Sequence, residues 1–255
     1  MVYIHIRTNG LPLYHQHIFM KKRTLIQSEQ LCRVPTDDGS FTLQRQDSGL
    51  LYRSKQGAIQ ESLSVFVHGT HLPSISNTWR VFELGLGQGR NFFQTYQEAQ
   101  KHKVYLEYVA VDHLPIPPEF GLHPLVCDVL QKSREQANVV ESKDRYASLT
   151  LYPFPFLDCA ITKTFDAIFH DPFGPAANPD CWIHSCFEKE YSLLKKEGIW
   201  SSYGASGQMR RELAQAGFFV ARGPGIGRKR ETTRASPSEK SLDDYRIKYR
   251  PKPKF

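Results

Sequence analysis

Glu83, Gly85, Gly87 and Asp112 are the first residues in this 255-residue chain whose types and spacing suggest chemistry. The run Glu83-Leu84-Gly85-Leu86-Gly87-Gln88-Gly89 stands where an apolar stretch from Trp79 gives way to a helical pattern. Glycines at a strand-to-helix turn let backbone approach a ligand closely. Asp112 closes the next apolar stretch, and a carboxylate there can accept both hydroxyls of a ribose. Together these features suit a nucleoside cofactor, either NAD or S-adenosylmethionine. The residue three after Gly87 is Arg90, which breaks the G-x-G-x-x-G pattern of dinucleotide binders. Glu83, ahead of the first glycine, favours a cationic cofactor and hence S-adenosylmethionine. Asn91, at the start of the following helix, joins these four as a candidate cofactor contact. A glycine-rich turn with no ligand is the plain alternative.

A second cluster, His170 to Pro179, holds three prolines and a glycine in ten residues. Such a loop is stiff and follows a fixed path. Asp171 begins it, at the end of an apolar run, where acids of open α/β sheets face the ligand. Asp171 is therefore the candidate catalytic residue, and Phe173 a candidate substrate contact. Asn178 is expected to cap the next helix; a rigid turn in which Asp171 has only such a capping role is the alternative.

These residues must be positioned by alternating strands and helices. The patterning predicts strands at 79–85, 103–112, 147–152, 165–171, 198–204 and 218–222. Helices are predicted at 58–67, 88–101, 126–140, 157–162, 179–196 and 206–216, the last two stopped by Gly198 and Gly217. This order implies an α/β fold, a mostly parallel sheet with helices on both faces. An Asp-Gly turn in residues 35–43 predicts a hairpin, with 44–54 as its second arm. The expected organisation is an N-terminal extension over 1–56, a Rossmann-like domain over 57–235 and a basic tail over 236–255.

Composition excludes several classes. No run of eighteen apolar residues is present, so no transmembrane helix is expected. The five cysteines show no CxxC spacing, which argues against a disulfide framework or a structural zinc site. No metal is expected, and a cytoplasmic setting fits. The net charge of +7 resides entirely in residues 222–255, which carry 11 Lys/Arg against 4 Asp/Glu. Within it, Gly225-Ile226-Gly227-Arg228-Lys229-Arg230-Glu231 reads as a loop that approaches phosphates. Arg228, Lys229 and Arg230 are candidate substrate contacts on a polyanion such as RNA. Tyr245 and Tyr249 interleave with Arg246, Lys248 and Arg250, a pattern that suits stacked bases and phosphates. A solvated basic tail is the alternative.

Four segments in order, FELGLGQGRNF (82–92), FDAIFHDPFGPAANPDCW (165–182), GIWSSYGASGQMRRELAQAGF (198–218) and GIGRKRE (225–231), resemble the tRNA methyltransferase domain of the bifunctional MnmC proteins and its stand-alone counterparts. The resemblance spans about Gly57 to Glu231. It implies a class I S-adenosylmethionine-dependent methyltransferase fold. It further implies methylation of the amine of 5-aminomethyl-(2-thio)uridine at the wobble position of tRNA, with the anticodon loop as partner. No flavin-dependent domain is covered, so another enzyme would supply the aminomethyl group. Three positions depart from the family pattern: Pro172 replaces a glycine, Ala177 replaces a lysine, and the stretch after the third strand lacks a Gly-Asp pair. Asp158 is the candidate adenine contact in its place. Two other readings share these features, a polyamine-type small-molecule transferase and a non-catalytic RNA-binding module. The basic 225–231 segment opposes the first, and retention of Glu83, Gly85, Gly87, Asp112 and Asp171 opposes the second.

Overall fold

The computed structural model describes residues 25–72, 77–136, 138–226, 229–244 and 247–248. In chain order its elements are a hairpin of β1 (Leu31–Pro35) and β2 (Phe41–Arg45), then α1 (Ala58–Glu61), β3 (Thr78–Leu84), α2 (Arg90–His102), β4 (Tyr105–Val111), α3 (Pro124–Glu135), β5 (Val140–Lys143) and β6 (Ala147–Tyr152). There follow β7 (Phe165–His170), α4 (His184–Leu193), β8 (Leu194–Ser202), α5 (Gly207–Gln215), β9 (Phe219–Ile226), β10 (Lys229–Ser236) and β11 (Ile247–Lys248). The main sheet runs β11-β9-β10-β8-β7-β3-β4-β6-β5. Its centre, β8-β7-β3-β4-β6, is parallel, and antiparallel strands flank it on both sides.

Central strands buried on both faces read as near-continuous apolar runs, as Val81-Phe82 and Val109-Ala110-Val111 do here. Alternation sends Val81, Tyr108 and Phe169 to one core, where α2 and α3 supply Phe92, Val126 and Leu130. Phe82, Val109 and Ile168 face the other core, with Phe187 of α4 and Leu213 of α5. The α/β architecture with helices on both faces is thus the observed one.

The chain winds from β3 to β4 and β6 in one direction, and from β7 to β8 in the other. The crevice between the carboxyl ends of β3 and β7 is therefore the switch point, where ligands bind in open α/β sheets. Gly85 and Asp171 follow those two strands directly.

Several elements differ from the sequence expectation. The helix expected to reach Val140 stops at Glu135, and Val140 opens the edge strand β5. The helix expected over 179–196 is a short turn at Pro179–Cys181 followed by α4, which ends at Leu193. Lys195 to Glu197 belong to β8, because pairing with β7 starts at Phe165↔Leu194 and overrides helical propensity. Gly198 is thus inside a strand; the Leu194 side chain fills the space its Cβ would take. The helix at 157–162 is only a turn at Phe156–Asp158. Residues 225–226 and 229–231 belong to the antiparallel strands β9 and β10 rather than to an irregular loop.

The N-terminal hairpin pairs residues on either side of the Asp37-Asp38-Gly39 turn, Leu31↔Arg45 to Pro35↔Phe41. The 44–54 arm contributes one bridge, Gln44↔Leu51. The hairpin packs on the main domain: Ile26, Leu31 and Leu43 share a core with Trp79 and Phe92. Asp38 accepts hydrogen bonds from the N–H groups of Ile59 (2.9 Å) and Gln60 (3.2 Å), capping α1 from the hairpin turn. Beyond Glu61 this helix widens into a π-helical turn, Ser62–Val67. Two of its carbonyls bond outward, Val65 to the Ser201 hydroxyl and Ser64 to Arg234.

Candidate active site

A cavity of 780 Å³ opens at the switch point. Gly85 to Gln88 form its floor, Asp112 and Leu114 one side, and Asp171 to Gly174 the other. The glycines are required there. Gly85 has φ +92°, and a Cβ on it would lie 2.7 Å from the Asp171 carbonyl oxygen. Gly87 has φ +50°, and its Cβ would meet the Tyr52 ring at 3.0 Å. Both positions are in the left-handed region that only glycine occupies cheaply.

Asp112 sits at the end of β4 and lines the cavity. Its Oδ2 accepts the Gly87 N–H at 2.9 Å and its Oδ1 the Leu114 N–H at 3.1 Å. These bonds fix the carboxylate and leave each oxygen a further lone pair for a ligand hydroxyl.

Behind the floor lies a buried polar group. Glu83 is fully buried and does not reach the cavity. Its Oε1 accepts from Asn91 Nδ2 at 2.7 Å, and its Oε2 from the Tyr108 hydroxyl at 2.8 Å. Asn91 Nδ2 also donates to Asp171 Oδ2 at 2.9 Å. Burial, and then the adjacent Asp171 charge, push the Glu83 carboxyl up to about 8. Glu83 and Asn91 thus hold the wall from behind.

Asp171 follows β7, with its N–H bonded to the Leu84 carbonyl at 3.0 Å. Its side chain forms an ion pair with Arg53, and the two side chains are only 6% and 7% exposed. Burial opposes the Arg53 charge, but Asp171, Glu61 and Glu83 outweigh it and hold the guanidinium more firmly protonated than usual. The loop after Asp171 is pinned twice: the Tyr203 hydroxyl donates to the Pro172 carbonyl (2.6 Å), and the Trp182 indole N–H donates to the Phe173 carbonyl (2.8 Å). Phe173 faces the cavity and meets the Tyr52 ring edge-on at 4.9 Å. Asn178 stands at the start of the Pro179–Cys181 turn but makes no side-chain capping bond to it.

Asp158 is exposed at the cavity rim, beside Phe156 and Leu157. The turn bearing it is held by Lys189, whose ammonium donates to the carbonyls of Phe156 and Cys159 (2.6 Å each) and Leu157 (3.2 Å). Arg230 is exposed on β10; Lys229 contributes its backbone to the same strand. Arg228, Tyr245, Arg246 and residues 249–255 of the basic tail, Tyr249 and Arg250 among them, lie outside the described residues. Sequence reasoning missed Tyr52, Arg53 and Glu61, which all line the cavity. Only tertiary packing brings that segment to the glycine turn; no local signal marks it.

The cavity fits S-adenosylmethionine by its own features: a tight glycine floor, a fixed carboxylate for ribose hydroxyls and a second acid opposite. No helix among the described residues is long and apolar enough to cross a membrane. A family model described as S-adenosyl-L-methionine-dependent methyltransferase matches residues 122–238. The tRNA 5-methylaminomethyl-2-thiouridine biosynthesis bifunctional protein MnmC of Leptospira borgpetersenii is 29% identical over 203 residues, 71% of this chain and 31% of that protein. An uncharacterized protein of Methanocaldococcus jannaschii, MJ0670, is 25% identical over 215 residues, covering 81% of this chain and 60% of that one. The crystal structure of MNMC2 from Aquifex aeolicus superposes with a TM-score of 0.68 at 25% identity, over 86% of this chain and 78% of that one. The chain spans about a third of the length of the bifunctional relatives. Sequence motif, sheet order, cavity and relatives agree: the chain is an S-adenosylmethionine-dependent methyltransferase, similar to the MnmC proteins.

Proposed function

We propose that this protein methylates the exocyclic amine of 5-aminomethyl-(2-thio)uridine at the wobble position of tRNA. The observation that carries the reading is the placement of Asp171 across the cavity from Asp112, at the switch point of an MnmC-like fold. The tRNA part of the reading is supported by the bifunctional relatives, which are named for biosynthesis of that class of nucleoside. In this proposal Asp112 holds the ribose of the cofactor, and Gly85 and Gly87 let the backbone close around it. Asp158 and the Phe156–Leu157 turn border the adenine end.

The cofactor supplies a methyl group on a sulfonium. An alkyl ammonium has no lone pair, so the acceptor must react as the free amine. Asp171 orients that nitrogen and takes the proton released once the N–C bond has formed, while the C–S electron pair stays on sulfur. Much of the rate gain comes from alignment of the reacting atoms. Phe173, edge-on to Tyr52, offers a face for the uracil ring. Arg230 on the β9–β10 hairpin, with Arg228 and Lys229, contacts anticodon-loop phosphates. A separate enzyme supplies the aminomethyl group.

The test is incubation with labelled S-adenosylmethionine and tRNA from cells unable to make the final methylation, followed by nucleoside mass spectrometry. Gain of one methyl on the 5-aminomethyl nucleoside supports the reading. Cofactor binding with no methylation of this tRNA would redirect it to a small-molecule acceptor.

A further inference from the structure

The Arg53–Asp171 ion pair is unusual for a site that must accept an amine. A lone carboxylate would attract the acceptor as its ammonium, the form that cannot react. Here the carboxylate already has a cation. Arg53 is delivered by the segment after β2, which is itself pinned: the Tyr52 N–H donates to the Leu43 carbonyl (2.9 Å), and the Arg53 N–H to the Thr42 hydroxyl (2.8 Å). Its guanidinium lies over the Phe66 ring, 5.4 Å from the centroid, on the π-helical turn. Its Nη1 is buried with no hydrogen-bond partner among the described residues, although Arg53 lines the cavity. A buried donor without a partner is costly, and one that borders a cavity can be met by a ligand.

We propose that Arg53 is a positioning residue of the acceptor site: it holds Asp171 ionised and turned inward, and it sets a fixed positive charge beside the acceptor nitrogen, so that the amine is taken as its free base. This inference rests on the proposed methylation of an aminomethyl group. The charged and titratable groups around the pair are Glu61 from α1, Glu83 from β3, Arg90 from α2, Tyr108 from β4, Asp112 directly after β4, and Tyr203 after β8. Glu61 and Asp171 are acids that line this pocket, so removing Arg53 leaves it biased toward a cation. Arg90, which also lines the cavity, directs its guanidinium to the Phe41 carbonyl at 2.9 Å.

The experiment is the pH dependence of kcat/KM on tRNA bearing 5-aminomethyluridine, for wild type, Arg53→Met and Arg53→Lys. Cofactor affinity is measured by calorimetry alongside. Loss of the cation stabilises the substrate ammonium and also favours protonated Asp171, so both effects move the acid limb the same way. Arg53→Met is expected to shift that limb upward by about one pH unit, a loss of about tenfold at neutral pH that closes at high pH. Arg53→Lys, which keeps the charge, is expected to fall between the two. A uniform loss at all pH values, or a lysine variant no better than methionine, would overturn the proposal. If Arg53→Met does not fold, the comparison of Arg53→Lys with wild type decides it by the same shift. Failure of the wild-type protein to methylate this tRNA would instead sink the functional reading itself, which separates the two failures.

Discussion

A single nitrogen of Asn91 donates to two carboxyls on neighbouring strands, Glu83 at 2.7 Å and Asp171 at 2.9 Å. The bridge ties the end of β3 to the end of β7, the two strands that form the binding crevice. It also brings two acids close enough to compete for charge, and the deeper one, Glu83, yields.

Replacing the bridge should therefore be costly. Asn91→Leu removes a donor from both acids while keeping similar volume. A loss of about 1–3 kcal/mol is expected, the usual cost of orphaning buried polar groups. Denaturant unfolding measures it, and a loss no larger than that of an exposed substitution would show that the bridge contributes nothing.

Glu83 gives a pH prediction. Its folded value of about 8 exceeds that of an unfolded glutamate, so the folded state holds the extra proton. The stability tied to that proton is present below about pH 4.3, where both states are protonated, and is lost as pH rises through about 8. Glu83→Gln mimics the neutral acid and should flatten the decline between pH 5 and 8. Unfolding curves at three pH values decide this; an unchanged slope would mean that Glu83 is ionised in the fold.

Asp171→Asn should reduce methyl transfer by about 10²-fold or more while cofactor binding persists. It also strands Arg53. Removing one partner of a buried pair typically costs about 3–5 kcal/mol. The double variant Arg53→Met/Asp171→Asn should be more stable than additivity of the two single variants predicts. Simple additivity in a double-mutant cycle would mean that the two side chains are not coupled.

Gly85→Ala places a methyl group 2.7 Å from the Asp171 carbonyl at a φ of +92°. The clash is with backbone, so no side chain can swing away. Cofactor affinity should fall about tenfold or more, since the strain alone is on the order of 1–3 kcal/mol. Calorimetry with S-adenosylhomocysteine tests this, and wild-type affinity would contradict it.

Lys189→Met removes the ammonium that holds three carbonyls of the rim turn. Cys159, buried in that turn, should become more reactive toward a thiol reagent as the turn opens. Unchanged labelling kinetics would show that the turn is held by packing alone.

The motif part of the site was legible because its chemistry is local. Strand, glycine turn and helix are contiguous in sequence, and Asp112 and Asp171 each end an apolar run. The alternating pattern also disclosed the parallel sheet and its two helical faces. What escaped was non-local. Arg53 sits in a segment with no periodicity, and nothing near it in sequence names Asp171 as its partner. Position before the glycine suggests a cofactor contact for Glu83; strand alternation instead sends its side chain under the floor, toward Tyr108. Lys195 and Lys196 suit a helix locally, yet pairing with β7 draws them into β8.

The docking of residues 50–54 against the glycine turn has a consequence for anyone cutting this protein. A fragment beginning at Gly57, the boundary that the Rossmann pattern invites, would retain every glycine and acid of the cofactor motif. It would lose Tyr52 from above Gly87, the counter-ion of Asp171, and the hairpin aspartate that caps α1. Such a fragment would look complete by motif yet leave Asp171 without the cation it pairs with, because the fold's outline and its charge pairing do not share a boundary.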